Sequence, residues 1–259
     1  MADWNTELYL LNEEGRNKAV FDLISHIPLK NPGRVLDIGC GPGNSTIMLR
    51  KTFPGAEEVI GLDSSPNMIA KAREAHGGIT WLQRDINEGL SDLGRFDILF
   101  SNSVMHWLQG HAVLLPRLFE LLGAGGVAAF QIPYFLGAMY EEVSALAGSE
   151  KWNRFFPVKE TAVFHDIGFY YDILSSHFSV FDLWTTKHTH VLRSLTDILD
   201  FYTPTGFKGY FDQLESQELR EEFAADLLLM IGGLYSPQRD GKYLLRVERF
   251  FFVAWAQMN

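Results

Sequence analysis

Cysteine is nearly missing from this chain. Cys40 is the one thiol in 259 residues, so no disulfide can close within it. Basic residues are also in short supply, 22 Lys and Arg against 32 Asp and Glu, for a net charge of -10. A surface of that sign repels phosphate backbones and anionic bilayers, which argues against a nucleic-acid partner and against a membrane partner. No stretch of about 20 apolar residues is present to span a bilayer. Residues 1–11 carry Asp3 and Glu7 where a secretory leader would be basic and then apolar, so a cytoplasmic location is expected. Repeats, low-complexity segments and flexible linkers are lacking too, and the length suits a single domain with insertions. What the chain does have is apolar material, 47% hydrophobic and 14% aromatic residues, enough for a substantial core.

Residues 8–26 read as an amphipathic helix with Leu8, Leu11, Ala19, Val20, Leu23 and Ile24 on its apolar side. Pro28, Asn31, Pro32 and Gly33 break it. Strands and helices then alternate. Short apolar runs at 34–38, 58–62, 79–83, 96–100 and 127–132 predict five strands. Helices are predicted over 44–53, 65–75 and 113–122. Ser65 caps the second and Pro66 sits in its first turn. Gly123–Gly126 is expected to turn the chain into the fifth strand. The strands are continuous apolar runs, as in a parallel sheet covered on both faces by right-handed crossovers. Beyond Pro133 the rhythm changes. Residues 137–175 look helical, 179–191 alternate like a long strand, 194–233 return to helix, and 244–256 end in a strong strand. Two more sheet strands and helical insertions forming a lid over the carboxyl edge of the sheet are expected.

Val35-Leu36-Asp37-Ile38-Gly39-Cys40-Gly41-Pro42-Gly43 joins the first strand to its helix. Glycines there allow a tight turn and close approach of a ligand to the backbone, and the helix start beyond them offers N–H groups. A nicotinamide dinucleotide would call for G-x-G-x-x-G, but Asn44 occupies the sixth place. Asp37, two residues before the first glycine, would repel a pyrophosphate and would favour an ammonium group. Asp63 closes the second strand, where an acid can accept both hydroxyls of a ribose. Asp85 follows the third strand and can reach the amine of adenine with Ile86 packed on the base, or can serve as a helix cap. Met68, a turn beyond Asp63, can cover the adenine or fill the core. Together these acids describe a ligand with ammonium, ribose and adenine but no phosphate. Cys40 reads as a small residue of the turn.

The positive or polar groups available for a second ligand are His106, His165, Lys187, His188, His190, Lys208 and Arg249. His106 and Trp107 lie just past the fourth strand, where such a ligand belongs. His106 can act as a general base or can simply pack at a helix start. His188 and His190 alternate along a strand in the manner of a solvated face, and without a third ligand no metal site is expected. Trp4, Tyr9, Tyr134, Tyr170 and Tyr171 can wall a pocket, and aromatic faces attract a cation.

The chain resembles the class I S-adenosylmethionine-dependent methyltransferases, and among them the trans-aconitate methyltransferase family. The resemblance runs through Asp3-Trp4-Asn5, Leu8-Tyr9-Leu10, Arg16, the stretch 37–46, Gly61-Leu62-Asp63-Ser64-Ser65-Pro66, Met68-Ile69-Ala70, Asn102, Trp107, the stretch 171–174, Trp184, Thr205-Gly206 and the stretch 249–254. It implies an α/β, Rossmann-like seven-stranded sheet whose last strand is antiparallel. An N-terminal helical cap would span 1–30, a cofactor-binding core 31–133, helical insertions 134–177 and 192–243, and the final strands 178–191 and 244–259. It implies S-adenosylmethionine as cofactor and S-adenosylhomocysteine as product. The cofactor residues would be Trp4, Arg16, Asp37, Gly39, Gly41, Asn44, Asp63, Ser64, Met68, Asp85, Ile86 and Asn102. The acceptor would be a small carboxylic acid, met by Tyr9, Tyr134, Tyr171, Lys208 and Arg249, with His106 and Trp107 positioning it.

Two departures from the family bear on the acceptor. The polar stretch after the fifth strand is replaced by Pro133-Tyr134-Phe135-Leu136-Gly137-Ala138-Met139-Tyr140, and an arginine is replaced by Lys208. Lysine is a point charge and cannot grip a carboxylate with two parallel bonds, so a more apolar acid than a tricarboxylate fits. Alternatives are a hydroxyl, an amine or a carrier-bound acid as acceptor, a non-catalytic cofactor-binding protein, and an NAD-dependent oxidoreductase, which the glycine spacing disfavours.

Overall fold

The computed structural model describes residues 13–134, 138–157 and 163–257, apart from the side chains of 13–16 and 138. The chain divides into two compact units. The larger holds Glu14–Pro133, Ala162–Thr186 and Glu248–Asn259, and the smaller Met1–Glu13, Tyr134–Thr161 and Lys187–Val247. The N-terminal helix is α1 (Glu13–Ser25), and residues 1–12 of the expected cap lie outside the described residues.

The strands are β1 (Arg34–Ile38), β2 (Glu58–Asp63), β3 (Thr80–Gln83), β4 (Phe96–Asn102), β5 (Leu122–Pro133), β6 (Val180–Leu192) and β7 (Tyr243–Trp255). They form one seven-stranded sheet in the order β3-β2-β1-β4-β5-β7-β6. β1 to β5 pair in parallel, and β7 runs antiparallel to β5. The expected seven strands with an antiparallel last one are all present. The order reverses between β1 and β4, and at such a switch point the loops part to leave a crevice at the carboxyl ends of the strands.

Alternation along each strand sorts the side chains between the faces. Val35, Ile98, Phe100, Val127, Ala129, Phe251 and Val253 pack with Ala19, Val20, Leu23 and Ile24 of α1 and Leu49 of α2 (Asn44–Thr52). The apolar side read for the first helix is therefore the buried one wherever it is described. On the other face Phe130 stacks on Phe252 and meets Phe119 of α4 (His111–Phe119) edge-on. Tyr170 of α6 (Ile167–His177) packs against Phe250 there. Between β2 and β3 runs α3 (Pro66–Ala75), whose Met68 N–H donates to the capping Ser65 Oγ at 3.2 Å.

Two boundaries differ from the sequence reading. The glycines at 123–126 do not turn the chain but extend β5 back to Leu122, with an irregular register opposite Phe96 and Ile98. A Cβ on Gly126 would come within 3.0 Å of two carbonyl oxygens, so the irregularity needs glycine there. The 137–175 segment also splits. α5 (Ala138–Ala147) belongs to the smaller unit, whereas α6 joins the larger one because Tyr170, Leu174 and Phe178 are buried in it.

The smaller unit has its own core. α7 (Leu195–Tyr202), α8 (Lys208–Phe211) and α9 (Gln217–Leu234) replace the single helical stretch read over 194–233. Trp152 lies edge-on to Phe223 at 4.9 Å, and its indole N–H donates to Asp226. His190 corrects the expectation of a solvated face: it is buried against Phe201, and the exposed side of β6 carries Lys187 and Thr189. Among the described residues no helix is long and apolar enough to cross a membrane.

Candidate active site

The alternation of β1 puts Asp37 on the same face as Val35, toward α2. The first turn of α2 supplies two hydroxyls to it. Ser45 Oγ and Thr46 Oγ1 both donate to Asp37 Oδ2 at 2.6 Å. The other oxygen, Oδ1, is buried with no hydrogen-bond partner. Burial pushes the Asp37 carboxyl up to about 6, against the pull of the two hydroxyls. A buried carboxylate with one satisfied and one bare oxygen is suited to a cationic donor.

The three glycines between β1 and α2 differ in what they face. A Cβ on Gly39 (φ 71°) would strike the Val104 side chain at 2.2 Å, and one on Gly43 (φ 101°) would strike Trp81 at 2.7 Å. Gly41 (φ 55°) faces open space. Asp63 at the end of β2 reaches back to this turn, accepting from Gly41 N–H at 2.9 Å and from Ser65 N–H at 2.9 Å. One carboxylate thereby ties the glycine turn to the start of α3. Gly43 caps α2 without a side-chain acceptor, so Asn44 opens a helix whose first N–H groups are not taken by a cap. Met68 is buried, Ser64 is exposed and Asn44 is half-buried. Cys40 is buried in the turn, and burial raises its thiol well above the usual range, which suits a packing role. Asp85 caps a short 3-10 helix (Ile86–Glu88), accepting from the Asn87 backbone and side-chain amides at 2.9 Å on one oxygen. Ile86 behind it is buried.

A second group of polar side chains gathers where β4, β5 and β7 meet. Asn102 ends β4 with its Oδ1 buried and unpartnered. Ser103 follows at φ 60°, a left-handed conformation otherwise found only at glycines among the described residues. Gln131 of β5 holds it there: Ser103 N–H donates to the Gln131 carbonyl at 3.1 Å, and Ser103 Oγ donates to Gln131 Oε1 at 2.7 Å. Arg249 of β7 sends Nη1 to Ser103 Oγ at 3.5 Å, and its side chain is only 4% exposed. His106 lies in the 3-10 helix that follows (Met105–Trp107), close enough to feel the Arg249 charge. Burial first, and that charge second, hold its imidazole down to about 3. His106 is therefore neutral, with a buried and unpartnered Nδ1. Trp107 tilts against its ring at 4.5 Å. His111 backs the group: its Nε2–H donates to the Met105 and Leu108 carbonyls, and its Nδ1 accepts from Tyr170 Oη at 2.9 Å.

The structure thus gathers Asp37, Gly39, Gly41, Asn44 and Asp63 at one side of the switch point, and Asn102, His106, Trp107 and Arg249 at the other. Val104 packing on Gly39 joins the two sides. Tyr171 departs from its expected place as an acceptor residue. It is 50% exposed and its ring meets Phe181, because the inward position of that helical turn belongs to Tyr170. Lys208 and Tyr134 fall in the smaller unit, where Lys208 pairs with Asp212 and Tyr134 is half-buried. Trp4 and Tyr9 lie outside the described residues, as does the side chain of Arg16. Sequence reasoning missed Ser103 and Gln131. A signal for Gln131 was present, since it is the one polar residue in the run 127–132.

Residues 35–126 match the family described as a methyltransferase domain. A trans-aconitate 2-methyltransferase of Rhodopseudomonas palustris is 38% identical over 262 residues, covering 98% of this chain and 99% of that protein. Another, of Escherichia coli, is 34% identical over 254 residues, covering 98% of each. A phosphoethanolamine N-methyltransferase of Haemonchus contortus, solved with S-adenosylhomocysteine, shares the fold at a TM-score of 0.58 and 17% identity, over 93% of this chain and 53% of that one. By near full-length similarity, this chain belongs to the trans-aconitate 2-methyltransferase family and is an enzyme that uses S-adenosylmethionine.

Proposed function

We propose that the enzyme methylates a carboxylate oxygen of a small organic acid, in the manner its relatives' name gives for trans-aconitate. The observation that carries this reading is the buried Arg249 guanidinium beside a neutral His106, where the ends of β4 and β5 meet the middle of β7. A hydroxyl or amine acceptor needs a base, and an imidazole held near 3 is a poor one around pH 7. A carboxylate is already ionised at that pH and needs only a positive grip and partial desolvation, which a buried guanidinium supplies.

The residues on the cofactor side fit S-adenosylmethionine. The bare Asp37 Oδ1 is assigned to the cofactor's ammonium, and the open space over Gly41 leaves room for a ligand against the backbone. Asp63 is assigned to the ribose, Asp85 with Ile86 to the adenine, and Met68, Asn44 and Asn102 to the walls. When bound, this cofactor supplies a methyl carbon already activated by a positively charged sulfur. The protein's part is then alignment. Asp37 and Asp63 fix one reactant from β1 and β2, and Arg249 fixes the other from β7 of the same sheet. Such positioning can account for roughly 7–11 kcal/mol of a barrier. The apolar packing around His106, with Trp107 and Phe164 beside it, keeps water from competing for Arg249. A cytoplasmic setting goes with this reading, since there the single thiol stays reduced.

Incubation with S-adenosylmethionine and a panel of trans-aconitate, simpler carboxylic acids, phenols and amines tests the assignment. Mass spectrometry should find methyl esters of acids, with matching release of S-adenosylhomocysteine. Product from phenols or amines alone would overturn it.

A further inference from the structure

Gln131 is an anomaly in its strand. Its neighbours Ala128, Ala129, Phe130 and Ile132 are buried and apolar, and Gln131 is itself fully buried, in register with Asn102 on one side and Phe251 on the other. Only half of its amide is used. Oε1 accepts from Ser103 Oγ at 2.7 Å, while Nε2, with two N–H donors, has no partner. If Gln131 served only to brace Ser103, an acceptor alone would suffice, and the strand would not carry a bare amide nitrogen out of water at a cost. Ser103 Oγ gives its hydrogen to Gln131 Oε1, and Arg249 Nη1, which can only donate, lies 3.5 Å from the same Oγ. Nε2 is left as a buried, bare donor, and its amide is linked through the Ser103 hydroxyl to the Arg249 guanidinium.

We infer that Gln131 is an acceptor-binding residue whose Nε2 donates to an oxygen of the acid's carboxylate alongside Arg249, and that Ser103 is a positioning residue that fixes the amide. This rests on the carboxylate reading above. A guanidinium and a carboxamide N–H pair together offer donors and no acceptor. The group that suits the bare amide N–H beside a guanidinium is acceptor-only and anionic, an ionised carboxylate rather than its amide or alcohol analogue. The left-handed backbone of Ser103 fits this role, because it is the bend that brings Oγ back over Gln131.

Three variants test it. Gln131→Met keeps the length and removes the whole amide, its donors and the acceptor for Ser103 alike. Gln131→Glu keeps the acceptor for Ser103 and replaces the donors with charge. Ser103→Gly suits the φ of 60° and removes the hydroxymethyl group. Titration of trans-aconitate into enzyme loaded with S-adenosylhomocysteine, with steady-state kinetics alongside, should show the acid's Kd and KM raised at least tenfold in Gln131→Met and further in Gln131→Glu. Ser103→Gly should raise them about threefold. In all three any fall in kcat should be smaller than the rise in KM, and S-adenosylhomocysteine affinity should stay within twofold of wild type. Wild-type KM in a Gln131→Met enzyme that still binds S-adenosylhomocysteine normally would overturn the inference. So would loss of S-adenosylhomocysteine binding in both Gln131 variants, which would make the residue structural. If wild-type enzyme esterifies no acid, the carboxylate reading itself has failed, and this inference falls with it.

Discussion

The two sides of the switch point hold their polar groups in opposite ways. At the ends of β1 and β2 nearly every polar group is engaged by a near neighbour: Asp37 takes two hydroxyls from α2, and Asp63 takes two backbone N–H groups from the glycine turn and the start of α3. Where the ends of β4 and β5 meet the middle of β7 the groups come from distant parts of the chain, and Asn102, His106 and Gln131 each keep a buried polar atom without a partner. The first side is braced before a ligand arrives and offers one bare oxygen. The second offers several bare atoms at once, each costly to leave dry. A braced side suits one invariable ligand, whereas a side with spare donors around a cation leaves its selectivity to the few residues that present them.

The comparison is most sharply broken at the glycines. In Gly39→Ala the new methyl would meet Val104 at 2.2 Å from a backbone of positive φ. The expected loss is on the order of 2–4 kcal/mol, from overpacking and left-handed strain combined, and a melting temperature lower by roughly 10 °C. Gly41→Ala has positive φ but open space, and should cost only about 1 kcal/mol of stability while blocking S-adenosylhomocysteine. Calorimetry on both variants checks this. Equal destabilisation would mean that Gly41 is as much a packing residue as Gly39.

Asp37 offers the next largest effect. Its carboxyl sits at about 6 in the folded chain instead of 3.8, because it is buried. Between those values the folded state holds a proton that the unfolded state has released, so stability through this group falls as pH rises from about 4 to about 6 and is level above. The full difference is about 3 kcal/mol. Asp37→Asn should lack that fall, and above pH 7 its cofactor-free form should be more stable than wild type while binding S-adenosylhomocysteine more weakly. Urea unfolding of both proteins at pH 4.5, 6 and 7.5 measures the slopes, and parallel slopes would remove Asp37 as their source.

The smallest effect expected is at His106. With its imidazole near 3, the pH profile of kcat/KM between 5.5 and 8.5 should be the same in wild type and in His106→Asn, with activity down by less than about tenfold. A limb near neutrality that disappears in the variant would restore His106 as a base and weaken the contrast between the two sides.

The braced side was legible in the sequence because all its parts lie within 37–66 and are placed by local rules. A strand must end before a glycine turn, a serine before proline caps a helix, and an acid at a strand end faces the turn. The other side was legible only in fragments. Asn102, His106 and Arg249 stood out as individual residues, but Ser103 and Gln131 did not, because nothing along the chain shows that positions 28 residues apart share a hydrogen bond. The same limit explains the choice of Tyr171 over Tyr170. Adjacent tyrosines look alike in sequence, and the helix's packing against α4 decides which one turns inward.

Taken alone, the order of residues determined the strand count, the parallel β1–β5 core, the glycine turn and the acids around it, since these follow from periodicity and from backbone freedom at short range. Tertiary structure decided which strands became neighbours, and with that which side chains met where the ends of β4 and β5 lie against β7. Contacts of that kind depend on pairing between segments as far apart as Ser103 and Arg249, where the entropy of closing the chain is outweighed only by the assembled sheet.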